Sequence, residues 1–253
     1  MNLIPEAALA LSLLEKRKNR ENEQKFVVEG ERSVREAKDH ILYVIYSREL
    51  EVVKWAKDLG MKTYKISHEA FHKISAVESP QGVLAVCKTP EYHLKDILSA
   101  NNPLIVFCVE IQDPGNLGTI IRTADAAGAT GVILSKGTVE LYNTKVVRST
   151  MGSVFHLPIV QIKDNEETIK LLKKHKVNLI GSDLKSEKDV WSSNMRGATA
   201  ILIGNEGAGI PKEILDECDE LVLIPMPGKA ESLNAGVSSS IFLYEALRQR
   251  KMV

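Results

Sequence analysis

Cysteine is scarce: Cys87, Cys108 and Cys218 are the only three in 253 residues, and none stands in a CxxC or Cys/His ligand spacing. That usage excludes a disulfide framework, fits a reducing compartment, and leads us to expect no metal site. An excess of either charge is also missing, since Lys plus Arg and Asp plus Glu both number 33. The balance holds along the chain, with 16 basic against 15 acidic residues up to residue 100 and 17 against 18 beyond it. A non-specific nucleic-acid coat is therefore excluded, and a phosphate-bearing partner would have to be held by a local patch. Long apolar runs are absent too. The N-terminal MNLIPEAALALSLLEKRK is broken by Glu6 and has no basic segment before it, a poor signal peptide and too short a span for a bilayer. A cytoplasmic protein with no membrane partner is expected.

What is present is a β-α alternation. A helix is expected over 5–14, with Pro5 suited to its first turn. The charged EKRKNRENEQK follows, carrying Lys16, Arg17, Lys18, Arg20 and Lys25. Apolar runs at 26–29, 41–47, 63–67 and 82–88 read as strands, and ELEVVKWAKDLG and HEAFHKISAV between them as helices. That gives a small α/β domain over 1–92. The polar stretch 93–103 reads as a linker with a short helix inside. From 104 to 253 a second α/β domain is expected, with strands at 104–111, 131–135, 154–160, 177–183, 199–204 and 220–225 and a long closing helix. Its sheet should be mostly parallel, covered on both faces.

Ligands collect at the carboxyl ends of strands in such sheets. Three loops there are rich in glycine, proline and asparagine: DPGNLG after LIVFCVEI, GNEGAGIP after TAILI, and PMPGKAESLN after ELVLI. A dinucleotide fingerprint is not among them. The first loop has only Gly115 and Gly118, the second reads G-x-x-G-x-G, and the strand GVILS ends in Ser135 and Lys136 rather than an acid. In the helix after the first loop, Asn116 is placed to cap, and Arg122 is the only cation, with Gly118 one turn before it and Ala126 one turn after. From that helix alone, Arg122 reads equally as a surface residue paired with Asp125 at i,i+3.

DPGNLGTIIRTADAAGATGVIL, ILIGNEGAGIP and LVLIPMPGKAESLNAGVSSSIFLYEALRQR resemble, in order, the three signature motifs of the SpoU/TrmH group of RNA ribose 2′-O-methyltransferases in the SPOUT superfamily. KFVVEGERSVREA is similar to the ribosomal-protein-like substrate-binding domain that many of them carry. The resemblance implies a Rossmann-like catalytic sheet with a deep trefoil knot across the second and third motifs. It implies S-adenosylmethionine as methyl donor, a homodimer, and rRNA as substrate, a guanosine of the large-subunit (23S) rRNA, free or within a ribosomal particle. A tRNA ribose methyltransferase is the nearest alternative, and a non-catalytic RNA-binding or assembly factor is the alternative of another class.

Onto this chain the resemblance carries Arg122, Asn116, Glu206, Ser232 and Asn234 as catalytic. Gly204, Ile224 and Leu233 match the positions whose main chain holds the cofactor, with Asn205, Gly207, Met226 and Gly228 as neighbours. Left to sequence alone, Ile224 and Leu233 would pass for core, Asn116 and Ser232 for helix caps, and Glu206 for a charge at a helix start. After SLN the chain reads Ala235-Gly236-Val237-Ser238, where the group commonly has a more aliphatic run. RNA contacts are expected from Lys16, Arg17, Lys18, Arg20 and Lys25, and from Arg148 in NTKVVRSTMGSVF.

Overall fold

A computed structural model describes residues 3–251. They form two compact units. One holds the chain to Glu91 together with Glu140–Phe155, the other Tyr92–Val139 with the chain from His156 on.

The first unit opens with α1 (Pro5–Glu15) and α2 (Arg17–Glu23), then β1 (Lys25–Glu29), α3 (Glu31–Glu36), β2 (Ile41–Tyr46), α4 (Glu51–Asp58), β3 (Thr63–Lys65), α5 (His68–Lys73) and β4 (Val83–Lys88). The sheet order is β1-β4-β2-β3, with β4 antiparallel to both β1 and β2 and β3 parallel to β2. β4 is buried along its first five residues, as its unbroken VLAVC requires. Alternation then sorts its side chains. Val83, Ala85 and Cys87 join Phe26, Val28, Val44 and Tyr46 on one face, while Leu84 and Val86 join Ala7, Ala10, Leu13, Ile45 and Phe71 on the other.

Two features of this unit depart from expectation. The charged segment is a helix, α2, although no apolar period announces it. Arg20 is only 7% exposed, and its guanidinium binds Glu140 Oε1 at 2.6 Å and the carbonyl oxygens of Leu13 and Leu14. The segment 140–155, expected inside the second domain, packs with the first unit because its apolar side chains find their partners there. Phe26 meets Tyr142 at 4.5 Å and Phe155 at 5.7 Å between ring centroids, and Val147 joins the same core.

The second unit begins in the expected linker, whose helix α6 (Leu94–Leu98) is part of the core. A Cβ on Gly131 would stand 2.5 Å from Ile97 Cγ1. β5 (Leu104–Cys108), α7 (Pro114–Ala126) and β6 (Gly131–Leu134) follow, and α8 (Thr144–Thr150) belongs to the first unit. The chain returns with β7 (Ile159–Gln161), α9 (Asn165–Lys174), β8 (Asn178–Ser182), β9 (Thr199–Ile203), α10 (Lys212–Leu215), β10 (Glu220–Val222) and α11 (Ala235–Lys251). The strand expected over 154–160 forms only at its end. Residues 153–155 make a single 3₁₀ turn, and Pro158 stands between that turn and β7.

The six strands run parallel in the order β10-β8-β9-β5-β6-β7. β5 and β9 lie side by side at the centre with every residue buried. Strand order reverses between them, so the crevice at their carboxyl ends is where such a sheet binds ligands. Among the described residues, no helix is long and apolar enough to cross a membrane.

Candidate active site

The chain leaves β5 through Val109–Gln112 and turns into α7. The cap is Asp113, not Asn116: Asp113 Oδ1 accepts the Asn116 backbone N–H at 2.7 Å, and Pro114 takes the first helical position. Asn116 therefore lies within the first turn, and its side chain is free for longer-range bonds.

It makes two. Asn116 Nδ2 donates to Glu206 Oε1 at 2.8 Å, and Asn116 Oδ1 accepts from Asn234 Nδ2 at 2.6 Å. Asn234 Oδ1 in turn accepts the N–H groups of Gly236 at 2.9 Å and Val237 at 3.2 Å. Asn234, rather than Ser232, thus caps α11. One hydrogen-bonded chain runs from Glu206 through Asn116 to Asn234 and ties together the loops after β5, β9 and β10. Asn116 is 6% exposed, so its amide is held where an unmade bond would be costly.

Glu206 accepts also from the backbone N–H groups of Gln112 and Asp113, both at 3.3 Å. Burial pushes its carboxyl up. The amide of Asn116 and the backbone N–H groups of Glu206, Gln112 and Asp113 outweigh that and hold it below the usual carboxylate range. A carboxylate so fully bonded positions the loop before α7.

Asn205 acts similarly. Its Oδ1 accepts from Gly207 and Ala208 N–H at 2.9 Å, and its Nδ2 donates to the carbonyl of Glu110 at 3.0 Å. Its backbone bonds with Gly209 in both directions. The turn this closes is so tight that a Cβ on Gly204 would lie 2.4 Å from the Gly209 carbonyl carbon and 2.5 Å from Ile210 N. Only glycine fits there. Sequence reasoning missed Glu110, which takes a left-handed φ of 56° at the end of β5 while its N–H is bound by Ser135 Oγ at 2.9 Å.

The third loop supplies the fit for a nucleoside-bearing cofactor. Ile224 is buried, and Met226 and Leu233 are half-buried. Among the described residues, the main-chain N–H and C=O groups of Ile224, Met226, Gly228 and Leu233 have no partner within the protein. Unpaired main-chain groups beside apolar side chains suit an adenine edge and a ribose. Ser232, Gly207 and Gly228 are exposed.

Arg122 is exposed and makes no hydrogen bond or ion pair within the described residues. The i,i+3 pair with Asp125 is not formed, because His156 Nδ1 binds that carboxylate at 2.7 Å. Arg122 lies on the same helix as Asn116, about 9 Å further along at 1.5 Å rise per residue.

Of the expected RNA-contact residues, Lys16, Lys18 and Arg148 are exposed, and Arg148 donates to the Ala76 carbonyl at 3.1 Å. Arg17 pairs with Glu21 at 2.7 Å and Lys25 with Glu23 at 2.9 Å. Arg20 is corrected: it is buried and paired with Glu140, so no face of it is open to a phosphate.

Residues 103–244 match the SpoU rRNA Methylase family, and residues 10–85 match the MRM3-like substrate binding domain. The chain is 35% identical over 233 residues to the 23S rRNA (guanosine(2553)-2'-O)-methyltransferase RlmP of Bacillus subtilis (strain 168), covering 91% of this chain and 92% of that one. It is 34% identical over 253 residues to the 23S rRNA (uridine(2479)-2'-O)-methyltransferase of Streptomyces viridochromogenes, covering 94% and 88%. The crystal structure of the SpoU methyltransferase AviRb from Streptomyces viridochromogenes in complex with AdoMet is similar with a TM-score of 0.88 at 33% identity, covering 98% of this chain and 99% of that one.

Proposed function

The chain belongs to the SpoU rRNA methylase family, and from that premise we propose that it methylates a ribose 2′-hydroxyl of 23S rRNA, a guanosine being the target. S-adenosylmethionine supplies the methyl group from its sulfonium. The observation that carries the reading is the bonded chain Glu206–Asn116–Asn234, which joins the three motif loops at the switch point of the sheet. It is matched by Arg122, a lone, unpaired cation on the helix whose first turn holds Asn116.

The roles follow from those bonds. Unpaired main-chain groups of Ile224, Met226, Gly228 and Leu233 hold the adenine and ribose of the cofactor, and the main chain of the tight turn at Gly204, with Asn205 and Gly207, adds to the same site. Glu206 and Asn234 keep the loops in register through Asn116. Arg122 binds the phosphate next to the target nucleotide, orients the 2′-hydroxyl in line with the donor and stabilises the developing alkoxide, while the hydroxyl proton leaves to solvent water and the donor departs as its thioether. A guanidinium keeps its proton well above neutral pH, which suits it to that electrostatic role. Ser232, exposed on the loop before α11 and two residues from Asn234, joins the same group by its place in the motif.

The finer organisation belongs to the same reading. The loops of the second and third motifs make the trefoil knot, and the first unit binds the RNA through its exposed cations, Lys16, Lys18 and Arg148 among them. Two copies pair through α11, whose Val237 and Tyr244 are 46% and 53% exposed and lie seven residues apart on one face. The protein acts in the cytoplasm, on rRNA free or within a particle.

The test is transfer of tritiated methyl from S-adenosylmethionine to rRNA and, separately, to tRNA, both from a strain lacking the gene, with wild-type protein and Arg122→Ala in parallel. Label in rRNA that disappears with Arg122→Ala, at unchanged melting temperature, is the expected result. Label in tRNA alone would transfer the assignment to a tRNA methyltransferase. Cofactor binding without label in either RNA would point to a ribosomal particle. No label and no cofactor binding would sink the enzyme reading.

A further inference from the structure

Away from the candidate active site, the first unit carries a pair of exposed imidazoles. α5 starts at His68, after a cap in which Ser67 Oγ accepts the Ala70 N–H at 3.2 Å. His72 follows one turn later, so both rings leave the same face. Their Nε2 atoms stand 3.1 Å apart, with ring centroids at 4.5 Å and planes at 89°. Both side chains are exposed, while Phe71 and Ile74 beneath them are fully buried. The backbone is thus anchored in the core and the rings stand in water.

We propose that His68 and His72 are a chelating pair for a late first-row divalent cation such as Zn²⁺, Ni²⁺ or Cu²⁺. An imidazole nitrogen binds zinc at about 2.0–2.1 Å, so two donors meeting at a cis or tetrahedral angle lie about 2.9–3.4 Å apart. The 3.1 Å separation falls within that bite. Histidines at i and i+4 on a helix are the spacing by which one face supplies two nitrogen ligands. In the absence of metal one Nε2–H donates to the other Nε2. Chelation requires only that the donating ring carry its proton on Nδ1 instead, so no other group has to gain or lose one.

Among the described residues no group of three or more His, Cys, Asp and Glu side chains could hold a metal ion. The remaining coordination positions therefore go to water or to a donor from another molecule, which makes this an exchangeable surface site, not a structural one. Borderline-soft cations should bind in the Irving–Williams order, and hard, oxygen-seeking Mg²⁺ and Ca²⁺ should not compete. The cysteines, on which the expectation of no metal site rested, take no part.

Calorimetric titration of the full chain with ZnCl₂, and with MgCl₂ as control, tests this. Wild type is expected to bind one zinc per chain and no magnesium at that site. His68→Ala and His72→Ala should each weaken zinc binding on the order of tenfold or more, and the double variant should abolish it. Melting temperatures should stay unchanged in the absence of metal, because both rings are solvent-exposed. His175→Ala, at the residue that follows α9, should titrate as wild type. Zinc binding that survives the double variant, or its absence from wild type up to millimolar zinc, would overturn the proposal. So would equal binding of magnesium.

Discussion

Asn234 Nδ2 reaches across to Asn116 Oδ1 at 2.6 Å, and this bond decides which way the Asn116 amide faces. With its oxygen turned to Asn234, its nitrogen must face Glu206. Asn116→Asp keeps the shape and reverses the chemistry: a second carboxylate would stand where Glu206 needs a donor. Like charges at that distance repel. We expect kcat to fall on the order of 10²-fold or more, as when a positioned polar group is removed from an active centre. Asn116→Asp, Asn116→Ala and wild type, compared by methyl transfer and by thermal melting, check it. An Asn116→Asp enzyme of wild-type activity would mean that the bonded chain is dispensable.

The Glu206 carboxyl gives a pH dependence with a definite sign. Its folded-state value is depressed, burial notwithstanding, by the Asn116 amide and three backbone N–H groups. Stability from those bonds is present above the ordinary carboxylate value of about 4.3 and is lost as pH falls through the lower folded value. Glu206→Gln lacks this titration. The wild type should therefore melt above Glu206→Gln at pH 7, with the gap closing below about pH 4. A gap that stays constant into acid would show that the carboxylate charge is not what these bonds depend on.

Arg20 and Lys18 lie in one charged segment and should behave oppositely. Removing Arg20 strands Glu140, itself only 13% exposed, along with the carbonyls of Leu13 and Leu14. Breaking a buried pair at one end typically costs about 3–5 kcal/mol, so Arg20→Ala should lower the melting temperature sharply. Lys18→Ala should leave it unchanged and instead flatten the salt dependence of RNA binding. Denaturant melts and RNA titrations at two salt concentrations separate the two effects.

These contrasts mark how far the sequence could be read. Strands such as LIVFC and TAILI are unbroken apolar runs, and the three loops at their ends announce themselves in glycine and asparagine, so the sheet and the place of those loops at its carboxyl ends are legible. Asn116 reads locally as a cap, and only its match to the family motif marks it as more. Nothing local distinguishes it from Asp113, and the residue that orients its side-chain amide is 118 positions away. α2 was hidden for the same reason, since its reason for folding, the Arg20–Glu140 pair, spans 120 positions. The segment 140–155 reads as catalytic-domain sequence by position, and only the packing of Tyr142, Val147 and Phe155 against β1 reassigns it. The left-handed Glu110 carries no signal, because glycine or asparagine would be expected there.

That residue supports one more prediction. Of the four non-glycine residues with positive φ among those described, Gln24 and Met151 cap helix ends and Lys176 lies just past the end of α9; Glu110 follows a strand. Its conformation is imposed from two sides, by Ser135 Oγ on its N–H and Asn205 Nδ2 on its carbonyl. Both bonds are to main chain, so Glu110→Gly keeps them and removes a left-handed cost of about 1–2 kcal/mol. Glycine's extra freedom in the unfolded chain offsets about 0.5–1 kcal/mol of that. The net effect is a stabilisation of roughly 0–1.5 kcal/mol, or up to about 3–6 °C in melting temperature for a chain of this size. A lower melting temperature would mean that the Glu110 side chain, which packs over Gly137, contributes more than the strain it imposes. That outcome would make the side chain, and not the backbone alone, part of what holds the loop before α7.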